Sequence, residues 1–128
     1  MSILTTPGVT VSVKTQFLPE QSSPLNQYFV FSYLISIENK TGFDIQLLKR
    51  YWKIIDSNGN TREIKGSGVI GFQPVIEPNQ IHEYTSGCHL ESDIGKMGGH
   101  YTFQRLEDGF KFDVEIPEFK LIIPSRLN

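Results

Sequence analysis

The sequence predicts an all-β fold, an immunoglobulin-like or fibronectin type III-like β-sandwich of about seven or eight strands. Apolar and polar residues alternate along several short segments, which is typical of strands with one buried face. Turn-forming residues separate these segments at regular intervals, and no segment keeps the period of an amphipathic helix. The 128 residues contain no internal repeat and no linker, so we expect a single domain spanning residues 1–128.

The first half of the chain carries the clearest strand patterns. Residues 9–17 alternate valine with polar residues and predict a half-buried strand that leads into a loop at residues 19–24. Residues 29–38 predict the strongest strand, which ends in a turn at residues 39–42. The residues of its core-facing parity are Phe29, Phe31, Tyr33, Ile35 and Ile37.

A hairpin is predicted in the middle of the chain. Residues 46–56 form its first strand, with Leu48, Trp52 and Ile54 on one parity, and Trp52 suits the core tryptophan of such sandwiches. An Asn-Gly turn supplies the positive φ values of a tight hairpin, so residues 61–65 return as the partner strand.

The second half is predicted to contain short strands. A glycine-rich, polar connection is expected over residues 87–99, and Pro117 is expected to end a strand. The predicted strands, in order, are residues 75–76, 81–86, 101–105, 110–116 and 119–123.

Composition bounds the kind of partner. The 12 basic and 14 acidic residues give a net charge of −2, which offers no general attraction to nucleic acid or to an anionic membrane. Lys49, Arg50 and Lys53 come nearest to a basic patch, and a solvated strand face explains them. A single cysteine and the lack of a signal-peptide pattern favour a reducing, cytoplasmic location.

Residues 66–71 read Gly-Ser-Gly-Val-Ile-Gly, the G-x-G-x-x-G spacing of a dinucleotide-binding loop. Such a loop must open a helix, because the pyrophosphate binds the free N–H groups of the first helical turn. Here two prolines and β-branched residues follow, so no helix can begin. We therefore expect Gly66, Gly68 and Gly71 to shape a bend, with a backbone anion nest as the alternative.

The sequence indicates no catalytic residues, no metal ligands and no cofactor. His82, Cys88, His89 and His100 lack the paired spacing of a metal site. Cys88 has a histidine beside it, but a lone cysteine is more often a small buried residue than a nucleophile. We therefore expect the protein not to be an enzyme.

A long, ordered series of residues resembles the bacterial ApaG family, and the similarity covers about residues 9–124. The chain departs from the family pattern at His89, where a proline is usual, and at Asn79, where a glycine is favoured. The residues that carry the resemblance are residues 28–33, 37–39, 46–52, Asp56, Gly59, 66–71, Gln73, Pro74, Pro78, 84–88, Leu90, Gly95, Met97, Gly98, Tyr101 and 116–119.

The resemblance implies a fibronectin type III-like sandwich that acts as a protein-interaction module. It also implies a link to cobalt tolerance and magnesium efflux. Pyrophosphate or a nucleotide is the implied small-molecule ligand, and the oligomeric state is left open between monomer and homodimer.

We expect the contact surface at residues 66–74, where Gly66, Gly68 and Gly71 open the backbone and Phe72 is exposed. Arg50 and Tyr51 are expected to join it. The leading hypothesis is a cytoplasmic, non-enzymatic module with an unidentified protein partner. The alternative is a sensor that binds nucleotide pyrophosphate or a divalent cation through the same loop.

Overall fold

The computed structural model of the protein describes residues 1–6 and 8–127, and these residues form an all-β sandwich. Its strands are β1 (Ser2–Thr6), β2 (Val9–Phe17), β3 (Phe29–Asn39), β4 (Ile45–Asp56), β5 (Thr61–Ser67), β6 (Val75–Ile76), β7 (Ile81–Leu90), β8 (Ile94–Arg105) and β9 (Lys111–Ile122). Short 3-10 helices occupy Pro19–Gln21, Pro24–Asn26 and Pro124–Leu127. The fold class is confirmed, with nine strands in the described residues where seven or eight were expected.

Two antiparallel sheets make up the sandwich. The first has the strand order β1-β2-β3-β7, and the second has the order β5-β4-β8-β9, with the short β6 also paired to β4. β1 and β2 lie against β9 along one side of the sandwich. β7 and β5 are therefore the edge strands on the opposite side.

A gap between β5 and β7 follows from this order. Arg62 of β5 donates a hydrogen bond to the backbone carbonyl of His89 on β7, which bounds the gap at one end. At the other end the ring of Phe72 lies 5.8 Å from the ring of His82. We call the gap between these two contacts the seam.

The core lies between the sheets and is built as the strand patterns predict. The expected core face of β3 is buried from Phe29 to Ile37, and Trp52 is only 2% exposed. Rings from both sheets meet in the centre, where Trp52 lies 5.5 Å from Tyr33 and 5.9 Å from Phe119. Burying aromatic side chains of this size supplies much of the driving force for folding.

A β-bulge at Leu48 divides β4. The pairing with β8 shifts between Leu47 and Lys49, so Leu48 is the extra residue. Leu47 is fully buried before the bulge and Trp52 after it, while Leu48 itself is only half-buried. The prediction that Leu48 shares the core face of Trp52 is wrong, because the bulge changes the parity.

The glycine-rich stretch at residues 87–99 is not a loop. It forms the end of β7 and the beginning of β8, joined by a tight turn. Gly99 occurs within β8 because a Cβ there would lie 1.9 Å from the carbonyl oxygen of Tyr51 on β4. Glycine is needed here because two backbones approach closely. From the sequence pattern alone, the same glycine predicts an interruption of the strand.

The two ends of the chain also differ from expectation. β9 continues through Pro117, which lies on an edge strand where the pairing with β8 shifts, and so costs no ladder hydrogen bond. The residues predicted as a separate last strand belong to the same β9. β1 was not predicted; it pairs with β2 from Ser2 to Thr6.

Candidate functional site

The loop between β5 and β6 contains a two-residue hairpin turn. The N–H of Val69 donates to the carbonyl of Phe72 at 2.9 Å, and the N–H of Phe72 donates to the carbonyl of Val69 at 3.2 Å. Ile70 and Gly71 at its tip have φ values of 46° and 84°. Positive φ at both central positions is the mark of a type I′ turn. We call residues 66–74 the glycine loop.

Gly68 fixes how this turn joins β5. Its φ is +59°, and a Cβ there would lie 2.1 Å from the carbonyl oxygen of Phe72. Its N–H donates to the carbonyl of Leu48 at 2.8 Å, and the side-chain amide of Gln73 donates to the same carbonyl at 3.0 Å. The bulge in β4 therefore supplies the acceptor that holds the glycine loop, and the Gly68 amide is not free for an anion.

Arg50 braces the loop from the inner side. Its guanidinium lies flat over Gly66, where a Cβ would be 2.6 Å from Cζ. Nη1 donates to the carbonyl oxygens of Ser67 at 3.0 Å and Gly68 at 2.9 Å. The location shared by Arg50, Gly66 and Gly68 is thus a packed contact, in which Gly66 makes room for the arginine, whereas Gly71 lies at the open tip of the turn.

Two apolar side chains project from the loop. Ile70 is 56% exposed and Phe72 is 54% exposed, while Val69 between them and β5 is 1% exposed. Val69 thus anchors the turn to the core, and Ile70 and Phe72 are the exposed apolar residues of the loop. The exposure predicted for Phe72 is confirmed, whereas Ile70 and Val69 were not expected, because an isoleucine gives no signal for a left-handed turn.

Tyr51 lies on the outer face of the second sheet, away from Arg50. Its ring stacks on His100 at 5.2 Å, and the ammonium of Lys65 lies 5.9 Å from the ring centroid. A hydrogen bond with Glu63 raises the pKa of Tyr51 above the usual value. A shallow groove of about 800 Å³ passes beside the stack; Lys49, Lys65, Ser67 and Gln73 also line it.

The structure therefore divides the predicted site. Gly66, Gly68, Gly71, Phe72 and Arg50 come together at the end of the seam. Tyr51 belongs to the outer groove. The two surfaces adjoin at Arg50, Gly66, Ser67 and Gln73, which also line the groove.

The other candidate residues lie apart from one another. His82 contacts Phe72, His89 contacts Tyr28 and Arg62, and His100 contacts Tyr51. Cys88 lies 3.5 Å from the sulfur of Met97, and burial raises the pKa of its thiol to about 12. Within residues 1–6 and 8–127, no three His, Cys, Asp or Glu side chains are grouped so that they could hold a metal ion.

None of the helices in the described part of the chain has the length and hydrophobicity needed to cross a lipid bilayer.

Comparison with known proteins places the fold in a family. Residues 19–105 match the ApaG domain model. The chain is 45% identical over 120 residues to Protein ApaG of Pseudomonas paraeruginosa, covering 94% of each chain. It is 41% identical over 121 residues to Protein ApaG of Brucella canis, covering 94% of this chain and 92% of that one. A solved structure of a Bordetella pertussis protein named as an ApaA protein matches with a TM-score of 0.87 at 41% identity, covering 91% of this chain and 94% of that one.

The fold is a small all-β sandwich, and the family match supports a domain of the binding type. The chain belongs to the ApaG domain family. The resemblance drawn from residues 28–119 is thereby confirmed, while the partner, the ligand and the residues that bind them stay predictions.

Proposed function

We propose that the protein is a non-enzymatic binding module that docks a partner protein through the glycine loop. Ile70 and Phe72 provide the contact area, and Arg50 and Val69 hold the loop in position. The family supports a binding-type domain in general. The particular surface is our proposal.

The conformation of Ile70 carries the proposal. A left-handed backbone costs an L-residue about 1–2 kcal/mol, and β-branched residues adopt it least readily. Asparagine or glycine would form the same turn without this cost. Ile70 has a φ of 46° and is 56% exposed at the tip of the loop. A strained, exposed apolar residue does little for folding, so contact with a partner protein explains it better.

Affinity capture from lysate of the source cells tests the surface. Phe72→Ser should lose the partner that the unaltered protein retains, because an exposed aromatic ring is the usual anchor of such a contact. Phe110→Ser is the matched control, since Phe110 is 53% exposed and lies in the turn between β8 and β9. Equal retention of the same partner by both variants would contradict the assignment.

An anionic ligand is the second candidate, and the outer groove favours it. Lys49, Lys65 and the stacked rings of Tyr51 and His100 line this groove of about 800 Å³. Such a set suits a nucleotide, with phosphates on the lysines and a base on the rings. A glycine-loop nest is less suited, because Gly68 already donates to Leu48.

Titration with ATP, inorganic pyrophosphate and Co²⁺, followed by amide chemical shifts, tests this candidate. Saturable shifts at Lys49, Tyr51 and Lys65 would support an anion in the groove. Shifts at His82, His89 or His100 on adding Co²⁺ would instead support a divalent cation. If neither response is seen at ligand concentrations below the millimolar range, this candidate function is ruled out.

The cellular setting is proposed from the family resemblance. We place the module in the cytoplasm, as a monomer or homodimer, in a process linked to cobalt tolerance and magnesium efflux. Loss of the gene should then lower growth in cobalt-containing medium. The Phe72→Ser variant should fail to restore that growth if the glycine loop is the relevant surface.

A further inference from the structure

The edge strand β7 exposes a row of backbone groups. In an antiparallel sheet both backbone groups of a residue point to the same neighbour, and successive residues alternate. Asn39 at the end of β3 bonds toward β7: its N–H donates to Gln80 at 3.0 Å and its carbonyl accepts from Asn79 at 2.7 Å. The register of β3 with β7 is unbroken, so the odd-numbered residues of β3 serve β7.

The partners of those residues on β7 carry even numbers, such as Ser86 opposite Tyr33. The backbone groups of the odd-numbered Glu83, Thr85 and Gly87 consequently point to the open edge. Across the described ranges these groups have no hydrogen-bond partner. At His89 the edge is occupied by the guanidinium of Arg62, which donates to the His89 carbonyl.

Three other edges of the sandwich carry devices that prevent strand addition. β1 is only five residues long. β9 contains Pro117 and an irregular register, and β5 exposes Glu63 and Lys65. Charges, prolines, bulges and shortness are the means by which proteins protect edges. β7 is ten residues long, keeps its register, and has one charged side chain between Ile81 and Cys88, that of Glu83, on the outer face.

The environment of the β7 edge selects the chemistry of an added strand. Arg62 and Arg50 both point into the seam, and neither forms an ion pair with any described carboxylate. These two guanidinium groups lie on the seam side of the edge, whereas Glu83 of β7 projects to the outer face, since its neighbour Tyr84 packs against the core. Side chains of the added strand that face the seam should therefore be acidic.

The other face of the added strand meets a hollow. Side chains of alternate residues would point to the outer face of the first sheet, beside Gly87. A depression of about 440 Å³ lies there, lined by Tyr28, Val30 and Thr85 among others. Apolar side chains fit this second parity.

We propose that the edge of β7 from Glu83 to Gly87 takes up an extended segment of a partner protein as an additional strand, with acidic residues toward Arg62 and Arg50 and apolar residues toward the hollow. The inference rests on the proposed function, since it names the partner segment that would bind beside the glycine loop. Strand addition gives affinity through the main chain and specificity through alternate side chains.

Synthetic peptides test the proposal on ¹⁵N-labelled protein. The probe is a nine-residue peptide that alternates valine and glutamate, and the matched control replaces each glutamate with lysine. The glutamate peptide should shift the amides of Glu83, Thr85 and Gly87 saturably, with a Kd below about 1 mM, and should slow their hydrogen exchange. The lysine peptide should bind at least about tenfold more weakly, and Arg62→Gln should remove that difference.

Two controls separate strand addition from other binding. Two N-methylated forms of the glutamate peptide are compared, one methylated on the valine nitrogens and the other on the glutamate nitrogens. One of the two should lose binding, because the N–H groups that donate to β7 are blocked in that form. Thr85→Pro should lose binding as well, because proline has no N–H to donate to the added strand. The variant should still fold, since proline is tolerated where an edge N–H faces solvent. Thr85→Val keeps the N–H and should keep binding. The N-methylated peptides leave the protein unchanged, so they decide the matter if Thr85→Pro does not fold.

Each other outcome overturns the inference. No saturable shift on β7, or equal binding of both N-methylated forms, removes strand addition, and equal binding of the lysine peptide removes the acidic preference. A protein that is dimeric by light scattering, with β7 amides protected, would assign the edge to a second copy. Shifts confined to residues 66–74 would leave glycine-loop docking intact while removing this proposal.

Discussion

The side chains of Tyr84 on β7 and Tyr101 on β8 meet inside the sandwich, where their hydroxyl groups share a hydrogen bond. This bond joins the two sheets at the inner wall of the seam. Tyr101 is fully buried, so its hydroxyl depends on Tyr84 for a partner. The pair is thus a polar contact that links β7 to the second sheet. The edge of β7 that does not pair with β3 is open.

Removing one hydroxyl should cost more stability than removing both. Tyr84→Phe leaves the Tyr101 hydroxyl buried and unpaired, which should lower the free energy of unfolding by about 1–3 kcal/mol. The double change Tyr84→Phe with Tyr101→Phe should recover part of that loss. Urea denaturation of the two single variants and the double variant measures the coupling; additive effects would contradict a shared bond.

Stability should fall in alkaline solution. Burial raises the pKa of Tyr84 and Tyr101 above the usual value for tyrosine, and it raises the pKa of Cys88 to about 12. The unfolded chain therefore loses these protons first, so the stability is complete below about pH 8 and declines as pH rises toward the folded pKa values. Unfolding free energies measured from pH 7 to 11 check this, and the Tyr84→Phe, Tyr101→Phe protein should show a shallower decline.

Ile70→Asn should make the protein more stable. Asparagine tolerates the left-handed conformation of this position, so relief of strain should add about 0.5–1 kcal/mol to the free energy of unfolding. Ile70→Val keeps the strain and serves as the control. Thermal denaturation of the two variants measures the difference, and an Ile70→Asn protein no more stable than Ile70→Val would show that the turn is unstrained.

Asn39 should be among the most sensitive polar residues. It is fully buried; its amide group donates to the carbonyls of Phe43 at 2.7 Å and Ile76 at 2.9 Å, and its Oδ1 accepts from the Thr41 N–H at 2.9 Å. Asn39→Ala should cost about 2–4 kcal/mol, because the bonds to the turn and to β6 are lost together. Asn58→Ala, in an exposed turn, should cost about 0.5 kcal/mol in the same denaturation experiment.

Sequence pattern was sufficient for strands whose burial follows a period of two. β3 is the example: every core-facing residue from Phe29 to Ile37 is where the alternation predicts. The pattern failed where backbone geometry replaces side-chain alternation. Position 99 in β8 requires glycine because the Tyr51 carbonyl approaches it closely. The sequence gives no sign that these two residues are in contact.

The candidate site was predicted in part for a similar reason. Gly66, Gly68 and Phe72 stand out by residue type, and they do lie together with Arg50. Tyr51 is adjacent to Arg50 in sequence but lies on the opposite face of β4, as neighbouring residues of a strand must. The hydrogen bond from Gly68 to Leu48 depends on a bulge, which residue types do not reveal.

The bulge at Leu48 sets the phase of β4. Ile45 and Leu47 on one side of it, and Trp52 and Ile54 on the other, reach the same core only because one residue is inserted between them. Deleting Leu48 would put the two halves of the strand out of step and remove the acceptor of the Gly68 amide in the same event. Variation in length within this strand is therefore coupled to the glycine loop, although the two segments are twenty positions apart in the chain.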